Sequence, residues 1–300
     1  MIPYFRSWRS FLPWAPSAGR RLALREFVNK DRRMLATLCR ERVQPVYLGD
    51  HTAICRILGR YKLYLDTRDH HFSAHVLLDG FWEMWVTKFI AMAVAPGMVA
   101  VDVGANFGYY TLLLGDLVGT DGRVIAVEPN PVVLPHLRNS VSINGFYHRT
   151  TIIAAAAGAV AKDGVQLYTP QWELGGATVV DDPVPEQISG APYSVVPQVT
   201  LDPLIAEVGQ LDFVKIDAEG AEGAIIEGLE QSLKRYKPVL ILEFNALRGE
   251  SPGALLDRLI SIYGSMRFLD SFGAMPTNKA RVMSKDRGEN WMLLFTASSR

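Results

Sequence analysis

VDVGANFGYYT, residues 101–111, joins an apolar run to two glycines four positions apart, with Asp102 inside the run and Asn106 between the glycines. MVAVDVG (98–104) reads as a buried strand and YYTLLLGDLVG as the helix that follows it. Asp102 is then expensive, because a buried carboxylate without a partner costs several kcal/mol. A ligand offering positive charge or hydroxyl donors is the first candidate to satisfy it.

Working outward, the same alternation of short apolar runs and amphipathic segments continues to the end of the chain, which predicts a mostly parallel sheet covered by helices on both faces. The expected strands are 98–104, 123–130, 150–158, a short edge strand in VQLYT, 211–217, 238–245, SMRFLD and WMLLFTA, with about seven of them in the core. Helices are expected from near Pro131, from Gly220 to Tyr236 and from Pro252 to Tyr263. Residues 168–198 hold five prolines after Tyr168 and are expected to lack regular structure, as a lid-like insertion. Residues 1–77 form an N-terminal arm and cap, part helical and then strand-like, and 82–94 is a helix leading into the first strand of the domain spanning 78–300.

Basic and acidic residues balance at 31 each, so no global field favours nucleic acid. Met1–Arg42 nevertheless carries ten basic residues against three acids, an excess of seven. Phe5, Trp8, Phe11 and Trp14 lie among those arginines, a composition that allows peripheral contact with an anionic membrane surface. The opening residues lack the unbroken apolar stretch of a signal peptide, and no run is long enough to span a bilayer. With two cysteines only, Cys39 and Cys55, a reducing, cytoplasmic setting is expected.

Ligands of open α/β sheets collect beyond the carboxyl ends of the strands. Those ends carry Asp102 with Gly104, Asn106 and Gly108; Glu128 with Pro129 and Asn130; Asp217 with Glu219; and Glu243 with Asn245. A glycine-rich turn followed by an acid at the end of the next strand suits a nucleoside, Glu128 accepting from two ribose hydroxyls. A dinucleotide would want G-x-G-x-x-G and would set its pyrophosphate against Asp102, whereas S-adenosylmethionine has no phosphate and offers an ammonium and a sulfonium to carboxylates. The acids favour S-adenosylmethionine.

These segments, with VIAVEPNP, VTLDPL, FVKIDAEGAE and PVLILEFN in their order, resemble the FkbM-type S-adenosylmethionine-dependent methyltransferases over about residues 78–245. The resemblance implies a class I methyltransferase, Rossmann-like, with a seven-stranded sheet whose last strand is antiparallel, and O-methylation of a hydroxyl on a carbohydrate or glycosylated metabolite. It also places Gly80 and Glu83 of LLDGFWE near the methionine end of the cofactor, and Ala156 near the adenine.

Deprotonating a hydroxyl calls for a base, and Asp217 or Glu219 is the expected one, raised by burial or by the other's charge. Glu219 and Glu222 would also suit a helix N-terminus without any catalysis. Lys215, inside a strand, is expected to pair with Asp217 or Glu243. Asp217, Glu243 and Asn245 are suitable Mg²⁺ ligands, but the resemblance implies no metal and none is expected. His70, His71 and His75 lie in what reads as strand and loop, so a zinc site is not expected. Trp172 suits either stacking on a sugar or anchoring the insertion. An NAD-dependent oxidoreductase and a non-catalytic S-adenosylmethionine-binding scaffold remain the competing readings.

Overall fold

The computed structural model describes residues 21–180, 193–249, 251–284 and 290–297. The cap opens with α1 (Leu24–Asn29) and α2 (Arg32–Arg40), then the antiparallel strands β1 (Pro45–Gly49), β2 (Thr52–Ile57) and β3 (Tyr61–Asp66). Helices α3 (Phe72–Asp79) and α4 (Met84–Ala93) lead into β4 (Val99–Val103), α5 (Tyr109–Leu117), β5 (Arg123–Val127), α6 (Leu134–Ile143) and β6 (Thr150–Ile153). Next come β7 (Ala156–Ala157), β8 (Lys162–Tyr168), β9 (Thr178–Val180) and β10 (Tyr193–Val199). The chain closes with α7 (Leu201–Val208), β11 (Phe213–Ile216), α8 (Glu222–Gly228), α9 (Glu230–Tyr236), β12 (Val239–Phe244), α10 (Pro252–Tyr263), β13 (Met266–Asp270), β14 (Gly273–Thr277), α11 (Lys279–Met283) and β15 (Trp291–Phe295).

Eight strands form the central sheet in the order β14-β13-β15-β12-β11-β4-β5-β6. The ladders β6–β5–β4–β11–β12 are parallel and β15 runs antiparallel to both its neighbours. That is the seven-stranded class I methyltransferase topology expected of the chain, extended to eight strands by β14, which pairs antiparallel with β13 at one edge. All residues of β4, β11 and β15 are buried, as a sheet covered on both faces requires. One apolar cluster on one face runs without a break from Phe27, Leu35 and Ile57 of the cap to Ala100, Phe213 and Ile241 of the sheet, so the cap shares the core. The second face packs Val101, Val214 and Leu242 against α8 and α10.

Several expectations are corrected. The run 150–158 is two strands: β6 ends the central sheet, and β7 turns away to pair with β10 in a separate four-stranded sheet, β7-β10-β8-β9. VQLYT lies in β8, between β10 and β9, and is not an edge strand. The proline-rich 168–198 segment holds β9 and most of β10, because Pro197 falls where the β10–β8 register shifts and its missing N–H breaks no ladder bond; residues 181–192 lie outside the described residues. The helix expected over 220–236 is two, α8 and α9, with a non-helical Leu229 between them (φ −120°). DHHFSAH is not strand and loop: Asp69 accepts the amide N–H groups of His71 and Ser73 and so caps α3, on which His75 rides. The aromatic arginine-rich arm of residues 1–20 also lies outside the described residues. No helix among the described residues is long and apolar enough to cross a membrane.

Candidate active site

β4 and β11 are neighbours at the point where the strand order reverses, and a crevice opens beyond their carboxyl ends. Asp102 is directly opposite Lys215 in the parallel register, and alternation puts both on the face that carries Ala100 and Phe213. Asp102 is fully buried; its Oδ2 accepts from the Thr111 hydroxyl at 2.6 Å, while Oδ1 has no hydrogen-bond partner among the described residues. Burial pushes its carboxyl above the usual range, and Lys215 and Thr111 pull against that shift. Lys215 is 1% exposed and reaches Asp217 Oδ2 at 2.9 Å. Burial works against charge on both groups, yet the lysine is shifted upward by Asp217 and Asp102 and the aspartate downward by Lys215, so the pair is ionised. The expected ion pair of Lys215 is therefore with Asp217.

Above this pair lies a cavity of about 470 Å³, counting space open to solvent. Gly104, Glu128, Pro129, Ala156, Asp217 and Glu219 line it, and Gly175, Ala177 and Val179 of the insertion form the facing wall. Gly104 has φ +74°, and a Cβ there would collide with the Asp217 carbonyl oxygen, so only glycine lets the two strand ends meet this closely. Glu128 is 6% exposed; its two oxygens accept the amide N–H groups of Asn106 and Asn130, each at 2.8 Å. Burial raises its carboxyl to about 7 against the pull of those amides. Each oxygen keeps a second lone pair for a ligand hydroxyl.

The FkbM methyltransferase domain matches residues 102–270, more than half of the chain and the whole of this crevice. The chain belongs to the FkbM methyltransferase domain family. Such a domain transfers methyl groups from S-adenosylmethionine, so the expected family, chemistry and cofactor are met at that level. The FkbM domain is also 29% identical over 108 residues to the protein-L-isoaspartate O-methyltransferase of Methanopyrus kandleri, covering 34% of this chain and 45% of that one. To the enzyme of the same name from Aeropyrum pernix it is 30% identical over 110 residues, 36% of this chain and 41% of that one. The chain thus spans less than half the length of the curated relatives it matches. Among solved structures it resembles a methyltransferase FkbM from Methylobacillus flagellatus (TM-score 0.42, 17% identity, 71% of this chain and 53% of the other). It also resembles the O-methyltransferase TomG from Streptomyces achromogenes in complex with SAM (0.41, 12%, 77% and 88%).

Around the FkbM crevice, the predicted cofactor residues fall into three groups. Gly104, Glu128, Pro129, Ala156 and Asp217 line the cavity. Asp102, Asn106, Gly108 and Asn130 sit behind its wall: Gly108 is the N-cap of α5 at φ +101°, and Asn130 ties Leu174 of the insertion to the β5 end through a 2.9 Å bond to its carbonyl. Gly80 and Glu83 stand apart from the cavity. Gly80 is the left-handed C-cap of α3, against Val43 and the Cys39 carbonyl, so helix capping accounts for it. Glu83 instead accepts from Tyr110 Oη at 2.8 Å, and burial, then the charge of Asp217, raises its carboxyl to about 7.

The carboxylates of Asp217, Glu219 and Glu243 offer oxygens within 4.8 Å of one another. Two cations already sit in this FkbM cluster, Lys215 on Asp217 and Arg248 on Glu219, and Glu243, 3.6 Å from Arg248, is raised to about 9 by burial and then by the charge of Asp217. Asn245 takes no place in it, turning its side chain to Asn290 and the Leu247 amide. Glu222 fixes the turn before its helix by accepting from the Ala218 and Gly220 amides, which leaves no need of a catalytic role. His71 and His75 pair with Glu173 and Asp79, and His70 stacks on Trp172 at 4.8 Å, so Trp172 anchors the insertion to the α3 approach. Tyr110, Thr111 and Arg248 were not singled out in the sequence; Tyr110 and Thr111 sit at α5 positions that pattern as ordinary core, and Arg248 follows β12 in an irregular segment.

Proposed function

We propose that this chain is an S-adenosylmethionine-dependent O-methyltransferase that methylates a hydroxyl of a carbohydrate or glycosylated metabolite in the cytoplasm. The observation that carries the reading is the meeting of Glu128 and Asp217 on one cavity at the switch point, beside a buried aspartate with an orphaned oxygen. Pure acceptors in that position suit a ligand rich in hydroxyl donors and positive charge, which a cationic sulfur nucleoside is. When bound there, S-adenosylmethionine supplies an electrophilic methyl group. Glu128 would hold ribose hydroxyls, and the ionised Asp217 would balance the cationic end.

Asp217, kept ionised by Lys215, is a weak base. Glu219 is raised by burial, is held in place by Arg248 and lines the same cavity, so it is the group that accepts the hydroxyl proton. Oxygen as the acceptor atom agrees with the names of both curated relatives, and the carbohydrate comes from the FkbM resemblance. The cytoplasmic placement rests on Cys39 and Cys55, free and buried thiols that burial pushes up to about 12.

Calorimetry with S-adenosylhomocysteine, paired with transfer of labelled methyl to fractionated glycans, lipids and small molecules, tests this. Glu219→Gln is expected to lower turnover about a hundredfold while cofactor affinity changes little. Absence of heat with either form of the cofactor, or wild-type turnover in that variant, would overturn the respective half.

A further inference from the structure

A second concavity, about 1230 Å³ counting space open to solvent, lies between α2 of the cap and the segment joining α3 to α4. Its floor is aromatic: Phe81, Trp82 and Trp85, with His71 and His75 standing edge-on to Trp82 at 5.4 and 5.2 Å. Its rim is cationic. Arg32 and Arg33 line it with no ion-pair partner among the described residues, and Arg40, which also lies over Phe81 at 5.1 Å, pairs with Asp79. Three guanidinium groups therefore outnumber Asp79 and Glu83 on the groove wall, with Asp31 acting on Arg33 from the start of α2, which leaves the rim positive on balance above an apolar floor.

Glu83 also lines this groove. Tyr110 bonds Glu83 and lies under Lys215 Nζ at 4.8 Å, and Lys215 in turn holds Asp217 on the cofactor cavity. Glu83, Tyr110, Lys215 and Asp217 thus form one chain of touching side chains from the groove to the cofactor cavity, so the two sites lie side by side.

We propose that this groove binds the acceptor, and that the acceptor is a sugar bearing a phosphate or carboxylate group. The C–H face of a pyranose covers an indole or phenyl ring, and planar guanidinium groups bind phosphate and carboxylate oxygens in pairs. Glu83 on the groove wall receives a hydroxyl of that sugar. The assignment rests on the methyltransferase reading for its purpose, but it is a binding claim that stands or falls separately.

The test is calorimetry on the full chain, with and without saturating S-adenosylhomocysteine, using glucose 1-phosphate, glucuronate, glucose and inorganic phosphate as probes. At least one anionic sugar is expected to bind about tenfold or more tightly than both glucose and inorganic phosphate, the stronger of the two identifying which anion the arginines take. Arg32→Gln/Arg33→Gln is expected to remove about tenfold of that affinity while S-adenosylhomocysteine binding stays within about twofold, which also reports that the variant is folded. The proposal falls if charged sugars bind no better than glucose, if inorganic phosphate alone binds as tightly as glucose 1-phosphate, or if the double variant binds them unchanged. Loss of S-adenosylhomocysteine binding by the wild-type chain would instead remove the methyltransferase reading and leave the groove standing on its own titrations.

Discussion

Two ion pairs of similar length stand at the two sites of this molecule. Lys215–Asp217, at 2.9 Å, lies at the end of the central sheet with its lysine side chain 2% exposed; Arg40–Asp79, at 2.7 Å, crosses the groove with its arginine side chain 53% exposed. Distance alone would rank them alike. Water separates the two cations: Lys215 is sealed from it, so removing Asp217 strands a charge that cannot be solvated, whereas the half-exposed Arg40 rehydrates when Asp79 is lost. The site end of the FkbM domain is thus held by charges that depend on each other, and the groove by charges left available to a ligand.

The largest effect should follow from breaking the buried side. Lys215→Met removes the cation shared by Asp102 and Asp217, and urea unfolding is expected to show a loss of about 3–5 kcal/mol. A loss under about 1 kcal/mol would mean that this lysine behaves like a surface residue, and the contrast would vanish. Next comes Thr111→Val, close to isosteric. It removes the one hydroxyl on Asp102 Oδ2 and should cost about 1–3 kcal/mol by the same measurement.

A third prediction uses pH. Glu83 and Glu128 ionise near 4.5 in the unfolded chain but near 7 when folded, so between those values the folded chain binds more protons. Their contribution is complete below about pH 4.5 and is lost as pH rises through about 7, at no more than about 1.4 kcal/mol per pH unit for each group. Asp217 acts oppositely, but only as pH falls below its ordinary value of 3.8. The melting temperature should therefore decline from pH 5 to pH 7.5, and Glu83→Gln should flatten the decline. A parallel curve for that variant would place Glu83 in ordinary solvent.

How much of this was legible in the residues differs by region for a physical reason. In the sheet, each parallel strand is buried on both faces and flanked by turn residues, so VAVDV and LDFVKID declare themselves, and the acids at their ends stand out against an apolar background. The appended sheet is written in strands that are either very short, β7 and β9, or only partly buried, β8 and β10, and Pro197, which would usually exclude a strand, is absorbed at a register shift. The α3 helix is hidden because its capping group, Asp69, stands two residues before the N-cap His71, so the cap does not show as the usual residue next to the helix. Glu83 was legible as a site residue only through a resemblance, and the contact that gives it meaning, from Tyr110 twenty-seven positions later, follows from packing and not from spacing.

The smallest expected effect is the other half of the comparison. Arg40→Gln keeps the aliphatic stem and the hydrogen-bonding end of the side chain while removing its charge, and it releases Asp79 into water that already reaches it. Asp79, held below the usual carboxylate range first by its bond from Arg40, would return toward it, with His75 3.3 Å away as a remaining neighbour. Thermal and urea unfolding are expected to shift by less than about 1 kcal/mol, and by less still in high salt. A loss as large as that of Lys215→Met would mean that the groove wall is sealed from water, and that the arginines above Phe81 hold the cap to the domain and have no charge to spare for a ligand.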